Sequence, residues 1–73
     1  MAQEMIEAPL PGKVLGVNVT VGNAVEEGGV ICTIEAMKME NPILSPVTGS
    51  VIEVAVAPEQ TVKTGQRIAV IEY

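Results

Sequence analysis

A chain of 73 residues makes one small domain, residues 1–73, and such a chain buries only roughly 60–65% of the surface its unfolded form exposes, with no room for a deep catalytic cleft. Nine Glu face three Lys and one Arg, and Lys13, Lys38, Lys63 and Arg67 are dispersed, which argues against a basic surface tracking a phosphate backbone and so against nucleic-acid binding. With no His, no Asp and the single Cys32, the chain cannot assemble a His-dependent triad, a Cys/His zinc site or an intramolecular disulfide, and its longest apolar runs are too short to span a bilayer.

Met1-Ala2-Gln3-Glu4 carries neither a basic segment followed by an apolar core nor an Arg-rich amphipathic presequence, so the expected compartment is reducing and cytoplasmic in type, although an excised domain would hide its parent's address. The apolar residues that follow are mostly β-branched, twelve Val and seven Ile against three Leu, and such side chains fit pleated strands better than helices. Ala8-Pro9-Leu10-Pro11-Gly12 reads as a turn, because Pro fixes φ and Gly supplies conformations that other residues resist. Val14 to Val19 reads as the next strand, with Val17 and Val19 sharing one face and counted as core. Glu26-Glu27-Gly28-Gly29 is a second, solvated acidic turn leading into an apolar strand from Val30 to Glu35. Ala36-Met37-Lys38-Met39 comes next, and the pattern then begins again. Ser45-Pro46-Val47-Thr48-Gly49 is a turn, Val51 to Val56 a strand with Val54 and Val56 on one face, Lys63-Thr64-Gly65-Gln66 a turn, and Arg67 to Glu72 a strand.

The recurrence has a constant offset of 37, running without a gap from Glu4/Asn41 to Ala36/Tyr73. Identities include Ile6/Ile43, Pro9/Pro46, Gly12/Gly49, Val14/Val51, Val17/Val54, Val25/Val62, Gly28/Gly65, Ile31/Ile68 and Ile34/Ile71. Neither half could bury its apolar face alone. The predicted fold is therefore all-β, a flattened barrel or sandwich of two four-stranded antiparallel sheets related by an internal pseudo-twofold.

The repeat also locates a site. If the strand ending near Glu35 is antiparallel to the one starting near Met39, Met37-Lys38 is a tight hairpin turn, and its counterpart in the other half is the pair of chain ends. Lys38 then projects at the pole opposite Met1 and Tyr73. Two-residue hairpins favour Asn-Gly, Asp-Gly or Gly-X because their central residues need φ > 0, and a structural turn at an exposed pole would be polar. Met-Lys-Met breaks both rules, and such departures concentrate at functional sites.

Glu35-Ala36-Met37-Lys38-Met39-Glu40 resembles the biotin attachment motif of the biotin carboxyl carrier family, whose centre is Ala-Met-Lys-Met, and the resemblance extends over the whole chain through the duplicated halves, the Pro-x-x-Gly turns and the Val-x-Val strands. It implies the biotinyl/lipoyl hammerhead fold and a non-catalytic carrier domain of a biotin-dependent carboxylase, decarboxylase or transcarboxylase. It further implies that a biotin protein ligase joins biotin to the ε-amine of Lys38, within an attachment motif of Ala36, Met37 and Met39. The biotin would then shuttle a carboxyl group between the sites of biotin carboxylase and carboxyltransferase or decarboxylase partners. The constant offset leaves no space for the protruding thumb that some members insert in the first half, so the resemblance is to the thumbless type. The sister lipoyl domains place their lysine within Asp-Lys-Ala instead, and unmodified hairpin domains of membrane-fusion adaptors share the fold without a reason to keep Met-Lys-Met. Three plainer expectations stand beside this reading: Met37 and Met39 as core gap fillers, Cys32 as an inert buried hydrophobe, and Glu35 as a strand-end residue like its repeat mate Glu72.

Overall fold

The computed structural model describes residues 1–73, all β, with no helix. Strands β1 (Gln3–Glu7), β2 (Gly12–Val17), β3 (Ala24–Val25) and β4 (Val30–Ala36) are followed by β5 (Met39–Leu44), β6 (Gly49–Val54), β7 (Thr61–Val62) and β8 (Arg67–Glu72). An offset of 37 carries β2 onto β6 and β3 onto β7 residue for residue. The two four-stranded sheets are ordered β1-β8-β6-β3 and β5-β4-β2-β7, and every pairing is antiparallel. Each sheet is therefore built from both halves, which is why neither half could stand alone.

The duplication extends to single hydrogen bonds. Val14 N–H donates to the Gln60 carbonyl and Val51 N–H to that of Asn23, both at 2.8 Å; Gly28 N–H donates to Ser45 and Gly65 N–H to Ala8. The core repeats in the same way. Its buried residues fall into mates across the offset: Ile6/Ile43, Val14/Val51, Val19/Val56, Val25/Val62, Ile31/Ile68, Cys32/Ala69 and Ile34/Ile71. Ala8 has the buried Ser45 as its mate, and the Ser45 hydroxyl donates to the Val47 carbonyl at 2.6 Å, so burying that polar group carries no unmet hydrogen bond.

Two expectations need correction. Val17 and Val54 occupy equivalent positions but are only partly buried against the core, while Val14 and Val51 are sealed within it. The cause is a bulge in each long strand. The β2–β4 register shifts between Val14 and Gly16, and the β6–β8 register between Val51 and Glu53, leaving Leu15 and Ile52 as extra residues, 40% and 38% exposed. One inserted residue resets the alternation of faces, and β2 and β6 end at Val17 and Val54, so Val19 and Val56 reach the core from outside the strands. Gly12 and Gly49, in turn, are required for closeness rather than for a left-handed backbone. A Cβ on Gly12 would overlap the Glu35 carbonyl oxygen and lie 2.6 Å from Ile34 Cγ2, and one on Gly49 would overlap the Glu72 carbonyl and lie 3.0 Å from Ile71 Cγ2. The left-handed glycines are Gly28 and Gly65, at φ 88° and 84° in the second turns, and Gly22.

Candidate functional site: the β4–β5 hairpin tip

The β4–β5 ladder runs through Ile34↔Asn41 and Glu35↔Glu40 to Ala36↔Met39, which leaves Met37 and Lys38 as the two central residues of the turn. Both are left-handed, at φ 52° and 64°. Positive φ at both centres is the type I′ pattern, whose twist matches that of the flanking strands. Apart from Glu59, they are the only non-glycine residues with positive φ in the chain. Each such residue costs roughly 1–2 kcal/mol because Cβ crowds the carbonyl oxygen. The turn is therefore held by the ladder beneath it, not chosen by its own residues.

Neither turn residue's side chain makes a hydrogen bond or ion pair that repays that cost. Met37 is 94% exposed and Met39 65%, so neither is a core gap filler. Lys38 is exposed and takes part in neither of the two ion pairs, which join Lys13 to Glu59 at 3.2 Å and Arg67 to Glu53 at 3.1 Å. Ala36 is half-buried at the end of β4, where the tip meets the body. The counterpart of this hairpin is the pair of chain ends: Ala2 and Tyr73 exchange two backbone hydrogen bonds of 2.9 Å, as the mates of Met39 and Ala36. β2 leaves the tip beside Glu35, and the chain reaches β3 beside Ser50, itself paired with Glu72. Tip and termini thus lie at opposite poles of a body measuring 36 × 17 × 17 Å.

No cleft or metal-ligand cluster accompanies the lysine. The one depression, about 310 Å³, lies between β1 and β5 among Met5, Ile6, Pro9, Pro42, Ile43 and Leu44, and no tip residue lines it. No group of His, Cys, Asp or Glu side chains could hold a metal ion. What the tip offers is an exposed primary amine on a flexible four-carbon stem, in no ion pair, flanked in sequence by two methionines. That fits a group attached through an amide bond.

The family model described as "Biotin-requiring enzyme" matches residues 4–71. The chain belongs to that family. It is 40% identical over 70 residues to a biotin carboxyl carrier protein of Streptococcus mutans, covering 96% of this chain and 54% of that protein. It is 39% identical over 67 residues to the mitochondrial pyruvate carboxylase of Mus musculus, covering 92% of this chain and 6% of the enzyme. Among solved structures, the urea carboxylase of Kluyveromyces lactis superposes with a TM-score of 0.91 at 28% identity, covering 99% of this chain and 6% of that one. The chain thus spans about half of the carrier protein and a small part of each multidomain enzyme.

Within this family fold, the site has two features that reading along the chain did not supply. The Asn41 side-chain amide donates to the Met39 carbonyl at 3.3 Å and to the Ile34 carbonyl across the ladder at 3.4 Å, a pair of long bonds spanning the two strands below the turn. Its repeat mate is Glu4, which has no donor to offer, and that mismatch was the available signal. Glu35, set aside for its likeness to Glu72, lies directly across from Glu40, whereas Glu72 faces the neutral Gln3. Like charges directly opposite destabilise a ladder by a few tenths of a kcal/mol or more. On its other side Glu35 is registered with Lys13, whose opposite charge offsets that repulsion, so the tip is less favourable than its counterpart in backbone conformation rather than in net charge.

Proposed function

We propose that Lys38 carries biotin in amide linkage, attached by a biotin protein ligase, and that the domain presents it first to a carboxylating site and then to a carboxyltransferase or decarboxylase site. The observation that carries this reading is the exposed, unpaired lysine of Ala36-Met37-Lys38-Met39, held on a left-handed hairpin turn at the pole farthest from the chain ends. Biotin supplies a ureido nitrogen that can take up and release a carboxyl group. All else is presentation by this chain.

The rigid ladder beneath the tip fixes where Lys38 begins, and its stem supplies the remaining freedom. Before acylation the amine would give up a proton in the ligase site; its nitrogen would then attack the activated carboxyl carbon of biotin, the amide bond forming as the activating group departs, and the chain's formal charge would pass from −5 to −6. No side chain of the domain lies in hydrogen-bonding contact with the amine to perform proton transfer or compete for it. In this reading the domain acts as a carrier and the partners provide the acid–base groups. Tethering through the opposite pole converts each encounter into an intramolecular one, with effective concentrations on the order of millimolar. Contacts with each partner must be weak enough to release, which suits an acidic surface with no Phe or Trp to anchor it.

The thumbless first half, in which six residues join β2 to β3, favours a carrier of the kind found in pyruvate carboxylase, acyl-CoA carboxylase, transcarboxylase or sodium-pumping decarboxylases. Co-expression with a biotin protein ligase should raise the intact mass by one biotinyl group, and Lys38→Arg should abolish the increment while leaving the fold intact. A lipoyl increment, or streptavidin reactivity surviving in the variant, would overturn the reading.

A further inference from the structure

The two tip methionines lie outside the core, and the chemistry of their exposed side chains gives them another role. All four thioethers of the chain differ in access: Met1 is 99% exposed at the chain end, Met37 94% and Met39 65% at the tip, and Met5 44% beside the groove between β1 and β5. The left-handed backbone at residues 37 and 38 holds the Met37 side chain away from both sheets. Met39 begins β5 on an exposed position, followed by the exposed Glu40. Away from the chain end, the methionines that flank Lys38 are thus the most accessible in the chain, and neither belongs to the buried core.

We propose that Met37 and Met39 form a reversible oxidation site for hydroperoxides, through which oxidant disables presentation of Lys38 without unfolding the domain. The inference rests on Lys38 being the carrier residue. In the forward step, a sulfur lone pair attacks the terminal oxygen of the hydroperoxide, the O–O bond breaks, the S–O bond forms, and the leaving oxygen takes up a proton to depart as water or alcohol. Sulfur is oxidised by two electrons, and the peroxide is reduced by two. In the return step, a dithiol reductant of the methionine sulfoxide reductase type supplies two electrons and two protons, releasing water and a disulfide. The product replaces an apolar, polarisable tip by a polar one. A pocket shaped to receive two thioethers must then desolvate two sulfoxide oxygens, a loss on the order of ten-fold or more in apparent affinity.

The test uses the full chain, biotinylated and checked by intact mass before any oxidant is added, so that failure of biotin attachment is scored separately as failure of the carrier reading. Limited hydrogen peroxide at neutral pH is followed by peptide mapping, with Met1 as the fully exposed reference. Met37 and Met39 should oxidise ahead of Met5, and the melting midpoint should stay unchanged. With a purified biotin carboxylase chosen because it turns over the untreated biotinylated chain, KM for the carrier should rise about ten-fold while kcat changes less, and incubation with methionine sulfoxide reductases A and B should reverse the rise. The Met37→Leu, Met39→Leu double variant, whatever its starting rate, should no longer respond to peroxide. Oxidation of Met5 as fast as the tip pair, a fall in melting midpoint that accompanies the tip sulfoxides, or an unchanged KM with both tip residues oxidised would each overturn the proposal.

Discussion

Replacing Met37 by Asn and Lys38 by Gly converts the tip into the turn that its backbone already describes. At φ 52° and 64° both residues lie in the left-handed region, where an ordinary side chain costs roughly 1–2 kcal/mol, Asn less and Gly nothing. Gly at position 38 adds freedom to the unfolded chain, which offsets about 0.5–1 kcal/mol. Both native side chains are exposed, so no packing is lost, and the net gain is about 1–2 kcal/mol. In a domain of this size each kcal/mol shifts the midpoint by about 4–8 °C, which places the double variant about 5–15 °C above the parent in a thermal scan by circular dichroism. The same variant should accept no biotin. Met37→Asn alone keeps Lys38, and should gain part of the stability while still being biotinylated. An unchanged or lowered midpoint in the double variant would refute the argument that the tip is locally unfavourable and held by the ladder.

Met37→Leu and Met39→Leu preserve volume and apolarity at exposed positions, so biotin attachment measured by intact mass should reach near completion and the melting midpoint should hold, while carboxylation or carboxyl transfer slows; a joint loss of attachment, turnover and midpoint would return both residues to a structural role. Gly49→Ala and Gly12→Ala each force a Cβ against a carbonyl oxygen of the neighbouring long strand, and urea titration should show each destabilised by about 1–3 kcal/mol. Cys32 is sealed in the core, and burial pushes its thiol up, so iodoacetamide near pH 8 should leave the native chain unmodified and label it fully in urea. Because the folded state raises that ionisation, the associated stability is complete below the ordinary thiol range and is lost as pH climbs through it. Cys32→Ala, which copies its mate Ala69, should therefore show a smaller alkaline fall in melting midpoint than the parent.

Much of this protein is a one-dimensional property of its sequence. β-branched composition, turn spacing and an ungapped offset of 37 are visible along the chain, and they suffice for the all-β fold, the two halves and nearly every core pair, because mates such as Ile34/Ile71 and Val25/Val62 must fill equivalent space under a pseudo-twofold. The hairpin at Met37-Lys38 and its pole were legible for the same reason, since the repeat junction has the chain ends as its counterpart. Other features depended on contacts between residues remote in sequence. Period two named Val17 and Val54 as core, but the bulges at Leu15 and Ile52 arise from pairing with β4 and β8, and they moved full burial to Val14 and Val51. A glycine's spelling does not say whether it serves a torsion or a close approach, and only the Glu35 and Glu72 carbonyls beside Gly12 and Gly49 decide for closeness. The span of the Asn41 amide and the facing of Glu35 by Glu40 required the strand register. The left-handed geometry of the Met37-Lys38 turn likewise came from the ladder that closes beneath it, because Met and Lys by themselves prefer other conformations.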